Sequence, residues 1–322
     1  MSSRSAVILF NKLSKDAKAD EADVLDQVNL VSEALTRLGY ATVAIPFSIK
    51  LKRAGKAIKS ANPVVVFNLV ESINNHGSLL YFSPAYLDTL GIPYTGSHTE
   101  SMFVTTNKVL AKKILSAAGL PTAPWYAPSA FKAESNKRYI LKPIWEEGSL
   151  GLDEHSVFDG NDLAAIAKIQ DYSNETHYIE EYIDGREFNI SILASEKGPI
   201  VMPPAEILFI DYPDSKPKVV GYTAKWLEDS FEYKNTQRTF DFPSSDIALL
   251  TELIDICKKT WKELDLRGYA RVDFRVDKNN QPFILEVNAN PCISPDSGFV
   301  AACTHLGIDT TEMIRRIVAD AI

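Results

Sequence analysis

Cysteine is scarce in this chain of 322 residues. Cys257, Cys292 and Cys303 are too few and too scattered for a disulfide framework or a thiolate zinc site. No stretch approaches the ~18 consecutive apolar residues of a membrane span. The apolar run near the N-terminus is too short for a signal peptide. These absences predict a soluble cytoplasmic protein in a reducing compartment, with no membrane partner. Positive charge is in deficit as well. Lys and Arg number 34 against 42 Asp and Glu, and the net charge of −8 argues against a nucleic-acid partner. The chain has no Walker A sequence GxxxxGK[ST], no internal repeats and no low-complexity tract. With 45% hydrophobic and 24% charged residues it has an ordinary globular composition, and its length predicts two or three domains.

The first hundred residues alternate strand and helix. Short apolar strands are predicted over 6–10, 40–45 and 63–69 (PVVVFNL). Val24, Val28, Val31, Leu35 and Leu38 recur at helical spacing before Gly39, and 79–90 forms a second helical pattern. Strand–helix–strand order implies a parallel sheet covered on both faces. Asn68, Glu71 and Ser72 follow the third strand, where such sheets gather ligand contacts, although a loop with a helix cap explains them equally. A Lys-rich helix over 107–118 leads into a smaller unit with strand 139–144 and a helix over 162–169. A third unit starts at 177 and ends in a helix over 310–321.

Two segments carry the chemistry. GYARVDFRV (268–276) and FILEVNANP (283–291) both alternate as half-buried strands do. Val272, Phe274 and Val276 share one face of the first; Arg271, Asp273 and Arg275 share the other. In the second, Phe283, Leu285 and Val287 oppose Ile284, Glu286 and Asn288. A turn centred on Asn279-Asn280 places Asp273 opposite Glu286 and Arg271 opposite Asn288. Facing carboxylates repel, and a divalent cation reverses the sign. Hard oxygen donors of this kind suit Mg²⁺. Arg271 and Arg275 on a solvated hairpin would be the plainer explanation. Upstream, Lys142 ends a strand just before the glycine-containing stretch 146–151, whose backbone N–H groups suit an anion, and Lys108 supplies a second cation.

In order, IPYTGS (92–97), Lys108, ILKPIWEEGSLG (140–151), YIEEYIDGREFNISIL (178–193), PAEI (204–207), GYTAKW (221–226), GYARVDFRV and EVNANPCISPDSG (286–298) span the chain. The set resembles the ATP-grasp carboxylate–amine ligases, and most of all the D-alanine–D-alanine ligase family. The resemblance implies an α/β fold with a Rossmann-like parallel-sheet preATP-grasp domain over 1–105. It also implies an α+β ATP-grasp part in two pieces, a central lid subdomain over 106–178 and a C-terminal subdomain with the metal site over 179–322. By the same resemblance Lys108, Lys142, Ser149 and Lys225 contact the phosphates of ATP. Glu180, Glu181, Tyr182 and Ile183 line the adenine slot with Leu285, and Glu187 holds the ribose. Asp273, Glu286 and Asn288 hold two Mg²⁺ ions, with Mn²⁺ an admissible substitute. Arg271 and the Cys292 backbone N–H face an oxyanion. Ser297 holds the acceptor's carboxylate or, alternatively, caps a helix. The implied activity is ATP-dependent joining of a carboxylate to an amine through an acyl phosphate. Amino acids or short peptides are the implied substrates, and the N-terminal unit the implied homodimer interface.

The chain also departs from the family pattern. NLVESINNHGSLL stands where the D-alanine ligases have HG-x-x-GEDG. Gly148 and Trp226 replace a serine and a tyrosine that bond near the substrates, and Cys292 replaces a glycine. Glycine has no side chain and indole only donates, so neither substitute makes the family's bonds. The family's N-terminal glutamate has one of Glu21, Asp23 or Asp26 as its counterpart here, and the sequence leaves the three open. These departures imply an altered amino-acid pocket, with Trp226 a large apolar wall. An ATP-grasp kinase acting on a stable acceptor, or a non-catalytic nucleotide-binding module, are the competing readings.

Overall fold

The computed structural model of the chain describes residues 4–14, 22–146 and 151–322. Glu21, Gly148 and Ser149 lie outside the described residues. Strands β1 (Arg4–Asn11), β2 (Tyr40–Phe47) and β3 (Val65–Leu69) form a parallel sheet in the order β2-β1-β3. Helices α1 (Val24–Arg37) and α2 (Leu51–Ala61) connect them, followed by α3 (Phe82–Leu90) and α4 (Thr99–Thr106). The middle of β1, Ala6 to Phe10, is an unbroken apolar run, and Ala6 to Leu9 are fully buried between layers. α1 turns Val24, Val28, Val31 and Leu35 inward, and Gly39, at φ +86°, ends it as its spacing predicted. Helix α2 was not anticipated from the sequence.

The middle unit opens with α5 (Lys108–Ala117), whose first turn is capped where Leu110 N–H donates to Asn107 Oδ1 at 2.9 Å. It continues through β4 (Trp125–Tyr126), β5 (Arg138–Pro143), β6 (Val157–Asp159), α6 (Leu163–Ile169) and β7 (His177–Glu181). These strands make an antiparallel sheet ordered β4-β7-β5-β6 over a small core of Phe131, Tyr139 and Phe158. β7 was expected to open the third unit; its pairing with β4 and β5 puts it in the middle sheet instead.

The last unit comprises β8 (Gly185–Leu193), β9 (Ile200–Val201), β10 (Ala205–Phe209), α7 (Tyr222–Trp226), α8 (Phe231–Asn235), β11 (Thr236–Thr239), α9 (Ile247–Glu263), β12 (Tyr269–Asp277), β13 (Pro282–Asn288), α10 (Gly298–His305) and α11 (Thr310–Ala319). Its sheet runs β11-β10-β8-β12-β13, with β9 on β8. One face carries Phe188, Ile190, Val272, Phe274 and Val276, all fully buried, and α9 packs Leu253 and Ile256 in the same cluster. Each such side chain contributes about 1.5–3 kcal/mol. Edge strand β13 is covered by the segment after α5: Ile284 N–H donates to Pro121 O at 2.9 Å, and Thr122 Oγ1 donates to Ile284 O at 3.1 Å. Among the described residues no helix is long and apolar enough to cross a membrane.

The β12–β13 hairpin corrects the sequence reading in its register. The turn is centred on Asn279: Asp277 N–H donates to Gln281 O, and Asn280 adopts a left-handed φ of 60°. Val276 therefore pairs with Pro282 and Phe274 with Ile284. A bulge then shifts the ladder by one residue, and Asp273 meets Glu286 and Arg271 meets Asn288, as expected. The bulge also corrects the faces of β13. Ile284 and Val287 enter the core, at 0% and 2% exposure, while neighbouring Leu285 and Glu286 both line the cleft. Ile284→Ala is accordingly expected to lower the unfolding free energy by about 2–5 kcal/mol, and Leu285→Ala by about half that or less. Urea denaturation of both variants checks this, and the reverse ranking would contradict the bulge.

Candidate active site

The face of the C-terminal sheet opposite its core is polar by alternation. Glu187 and Asn189 of β8 lie in register with Arg275 and Asp273 of β12, and these adjoin Glu286 and Asn288 of β13. This floor faces the middle sheet and the C-terminal ends of β1 and β3 across one cavity of about 730 Å³, a size suited to a nucleotide-sized ligand. Among the described residues, every one that the resemblance implies at the ATP, metal and oxyanion positions, together with Ser297, lines this cavity, whereas Asn68 and Asp26 do not.

At the hairpin, Arg271 grips Asp273 through both oxygens, Nε to Oδ1 at 2.7 Å and Nη2 to Oδ2 at 2.8 Å. These bonds use two of five guanidinium N–H donors and leave the others for a ligand. Glu286 lies 3.5 Å from Lys108 Nζ. Burial pushes its carboxyl up, but Lys108, Lys225, Arg271 and Lys142 outweigh burial and hold it at about 2. Asn288 Oδ1 accepts from the Asn290 N–H at 2.9 Å, so its orientation is fixed. Among the described residues no three His, Cys, Asp or Glu side chains converge in a metal-holding group. The candidate set is two carboxylates and one amide oxygen, and that donor chemistry fits a hard cation such as Mg²⁺.

The lysines are positioned by a buried acid. Glu180, 1% exposed, accepts from Lys142 Nζ at 2.6 Å through Oε2 and from Lys112 Nζ through Oε1. Lys112 also donates to Thr122 Oγ1 at 2.6 Å. Burial raises the Glu180 carboxyl, yet the two ammonium groups outweigh it and the net direction is down. Its side chain thus steers Lys142 toward the cleft rather than meeting the base. Lys112 was missed, although it lies one helical turn from Lys108 on the same face of α5. Lys108 Nζ donates to Glu146 O at 2.5 Å, which ties α5 to the start of the glycine-containing stretch.

A second buried pair shapes the far end. Glu187 lies 2.9 Å from Arg275 Nη2, which also donates to Lys218 O, while Arg275 Nη1 donates to Gly185 O at 3.1 Å. Burial raises the Glu187 carboxyl and Arg275 opposes the shift. The Tyr182 ring lies under Arg275 and Arg138, and Lys218 N–H donates to its hydroxyl at 2.9 Å. Glu181 accepts from Tyr126 and Lys137 at 2.9 and 2.8 Å, and its N–H donates to Pro124 O, so neither group is open to a base edge. Ile183 and Leu285 supply apolar wall. Lys225 is half-buried; burial and the Arg271 charge lower its ammonium. Trp226 also lines the cavity, and its buried Nε1–H has no acceptor.

Toward the parallel sheet, Asp23 lines the cavity, whereas Asp26 is exposed. Glu71 and Ser72 line it too, while Asn68 is a buried residue near the end of β3 whose Oδ1 accepts from Val70 N–H. The Cys292 thiol donates to Asp23 Oδ2 at 3.0 Å, and burial with the Glu71 and Asp23 charges pushes its ionisation up. Ser297 Oγ accepts from Val300 N–H at 3.3 Å, the helix-capping alternative, with its hydroxyl proton still available to a ligand.

A family model described as the D-ala D-ala ligase C-terminus matches residues 114–319. A D-alanine–D-alanine ligase of Carboxydothermus hydrogenoformans is 31% identical over 303 residues, covering 89% of this chain and 90% of that protein. An uncharacterized protein of Sinorhizobium fredii, y4sG, is 31% identical over 260 residues, 79% of this chain and 73% of its own length. The fold resembles that of D-alanyl-alanine synthetase A from Vibrio cholerae at a TM-score of 0.76 and 17% identity, covering 100% of this chain and 99% of the other. It also resembles that of VanG D-Ala:D-Ser ligase from Enterococcus faecalis at 0.71 and 16%, with 100% of both chains covered.

Glu180→Gln leaves two lysines buried without their shared counter-charge. The expected loss is about 3–5 kcal/mol of stability, read from chemical denaturation. An unchanged midpoint would mean that the three side chains are not held together as described.

Proposed function

Because the chain belongs to the D-alanine–D-alanine ligase family of ATP-grasp enzymes, we propose that it forms an amide or peptide bond between an amino acid's carboxylate and an amine, through an acyl phosphate, in an amino-acid pocket altered from that of its relatives. The observation that carries this reading is the cross-strand pair Asp273–Glu286 facing Lys108, Lys142 and Lys225 in one cleft. A carboxylate is a poor electrophile until phosphorylated, so the site must first gather negative charge. Lys108, Lys142 and Lys225 offset that charge. Asp273, Glu286 and Asn288 would hold magnesium, which neutralises the transferring phosphoryl group when bound. Glu187 lies where a ribose hydroxyl would be met, with Tyr182, Ile183 and Leu285 walling the base.

The unused N–H groups of Arg271 and the Cys292 backbone N–H then serve the oxyanion formed as the amine attacks. Ser297 is placed to meet the acceptor's carboxylate. The alteration rests on Trp226 and Cys292, which give the pocket lining an indole and a thiol. A pocket so lined suits an amino acid bulkier than alanine, or a short peptide.

The test is phosphate release with D- and L-amino acids supplied singly and in pairs, and mass spectrometry of the products. Phosphate and ADP should appear together only with magnesium, and a condensed product should accumulate. A persistent phosphorylated product without free phosphate would identify a kinase; best activity with D-alanine alone would refute the altered pocket. Glu286→Gln is expected to lower turnover by about 10²–10³, comparable to removing one charge-stabilising group from a site.

A further inference from the structure

Arg238 of β11 is a cleft cation outside the phosphate and metal machinery. It pairs with Ile207 of β10, which pairs in turn with Glu187 of β8, and all three line the cavity. The ladder thus carries the polar floor out to Arg238. A methyl group placed on Gly298 would meet Arg238 Nη2, Cζ and Nε at 3.5, 3.7 and 3.7 Å. Three such similar distances mean that the guanidinium lies face-on against the start of α10. Its N–H donors lie in the plane of the group, so they point past Gly298 and not at it.

Among the described residues Arg238 makes no hydrogen bond or ion pair; only the charges of Arg271 and Asp296 act on it. It is exposed toward the cavity, whose walls still withhold enough water to lower its pKa. The Arg271 charge lowers it further and Asp296 opposes both. Asp296 is exposed, and its Oδ1 accepts from Ser294 Oγ at 3.0 Å. The other two arginines of the floor each meet a carboxylate, Arg271 on Asp273 and Arg275 on Glu187. Arg238 keeps its fork unfilled while near another guanidinium. Such a fork takes a planar carboxylate through two parallel N–H bonds. The phosphate end of the cleft already has three lysines. Arg238 instead lies against Gly298, next in the chain to Ser297, whose hydroxyl proton is available to a ligand. A fork engages both oxygens of one carboxylate, which leaves the Ser297 hydroxyl for a second.

We infer that Arg238 is a specificity-determining residue: it receives a side-chain carboxylate of the acceptor whose α-carboxylate Ser297 meets, so that the acceptor is an acidic amino acid. The inference deepens the ligase reading and rests on it. Alanine would leave the fork empty. The neutral amide of the same shape brings N–H donors toward a group that only donates.

Phosphate release by the full chain with ATP and magnesium tests it. D- and L-aspartate and glutamate are compared as acceptors with asparagine and glutamine, each beside every amino acid in turn as donor. At least one acid should exceed its amide in kcat/KM by about tenfold or more, the size of one hydrogen bond to a charged group. Arg238→Gln should bring that ratio to within about twofold of unity through the KM of the acid, and leave nucleotide affinity, read by calorimetry, within about twofold. Arg238→Lys keeps the charge and loses the fork, so its ratio should fall between the two, and it supplies the reading if the first variant does not fold. Phosphate release with no preference for acids would overturn the inference and leave the ligase reading intact. So would a loss shared equally by acid and amide in the variants, which is the pattern of an arginine on the common α-carboxylate or in the fold. Phosphate release from no pair would defeat both.

Discussion

Two carboxylates set opposite each other on neighbouring strands repel, and the rest of this site is organised around that repulsion. Asp273 and Glu286 meet in register only because a bulge in β13 shifts the ladder. The guanidinium of Arg271 covers one acid, and Lys108 approaches the other. Cations outnumber acids enough to keep Glu286 ionised despite its burial. A site held in that balance is prepared for a ligand bringing both signs, such as a polyphosphate with a divalent metal. The apolar face of the same sheet fixes the geometry, since Phe274 and Val272 cannot move without opening the core.

Two further ion clusters support this arrangement from outside the chemistry. Glu180 joins Lys112 to Lys142 under the cleft, and Arg275 joins Glu187 to the backbone at Gly185 and Lys218. Buried ion clusters add little net stability, but they restrict side chains to one arrangement, which is what a binding floor requires. They also connect units: Thr122 receives Lys112 and donates to the edge of β13. Lys142 is thereby registered against the hairpin that carries the acids.

Much of this was legible in the residues. Alternation in 268–276 gave the polar floor, and the pairing of Asp273 with Glu286 followed from the distance to the turn. The pairing was right for an incomplete reason, because the turn lies half a residue from the expected centre, which moves the register by one residue, and Leu285 absorbs the difference. A bulge leaves little trace in a single sequence, since both Ile284 and Leu285 are apolar and either can face the core. The resemblance placed Glu180 at the adenine slot and Glu187 at the ribose, but the sequence does not show the cations that each of these buried acids meets. Lys112 and Arg275 lie far from them along the chain and close only in the fold. The helix Ile247–Glu263 was not anticipated, since its apolar stripe at Leu249, Leu253, Ile256 and Cys257 carries no chemical motif.

The distribution of unsatisfied groups separates the two ends of the cleft. Around the hairpin and the lysines, each acid has a cation or an N–H within reach. Of the buried side-chain atoms without a partner among the described residues, Asn11 Oδ1 and Trp226 Nε1 belong to residues lining the cavity, and both lie outside the lysine and acid cluster. Leaving such groups unpaired opposes folding, so their retention fits a pocket that gains its missing bonds from what it binds. At the charged end Glu286 is paired with Lys108, Glu180 with Lys142 and Asp273 with Arg271. Of the two departures that line the cavity, Trp226 keeps its Nε1–H unpaired, whereas the Cys292 thiol is bonded to Asp23. The acids and lysines of the cleft are constrained by their own charge balance, whereas the wall at Trp226 leaves a buried N–H donor unpaired.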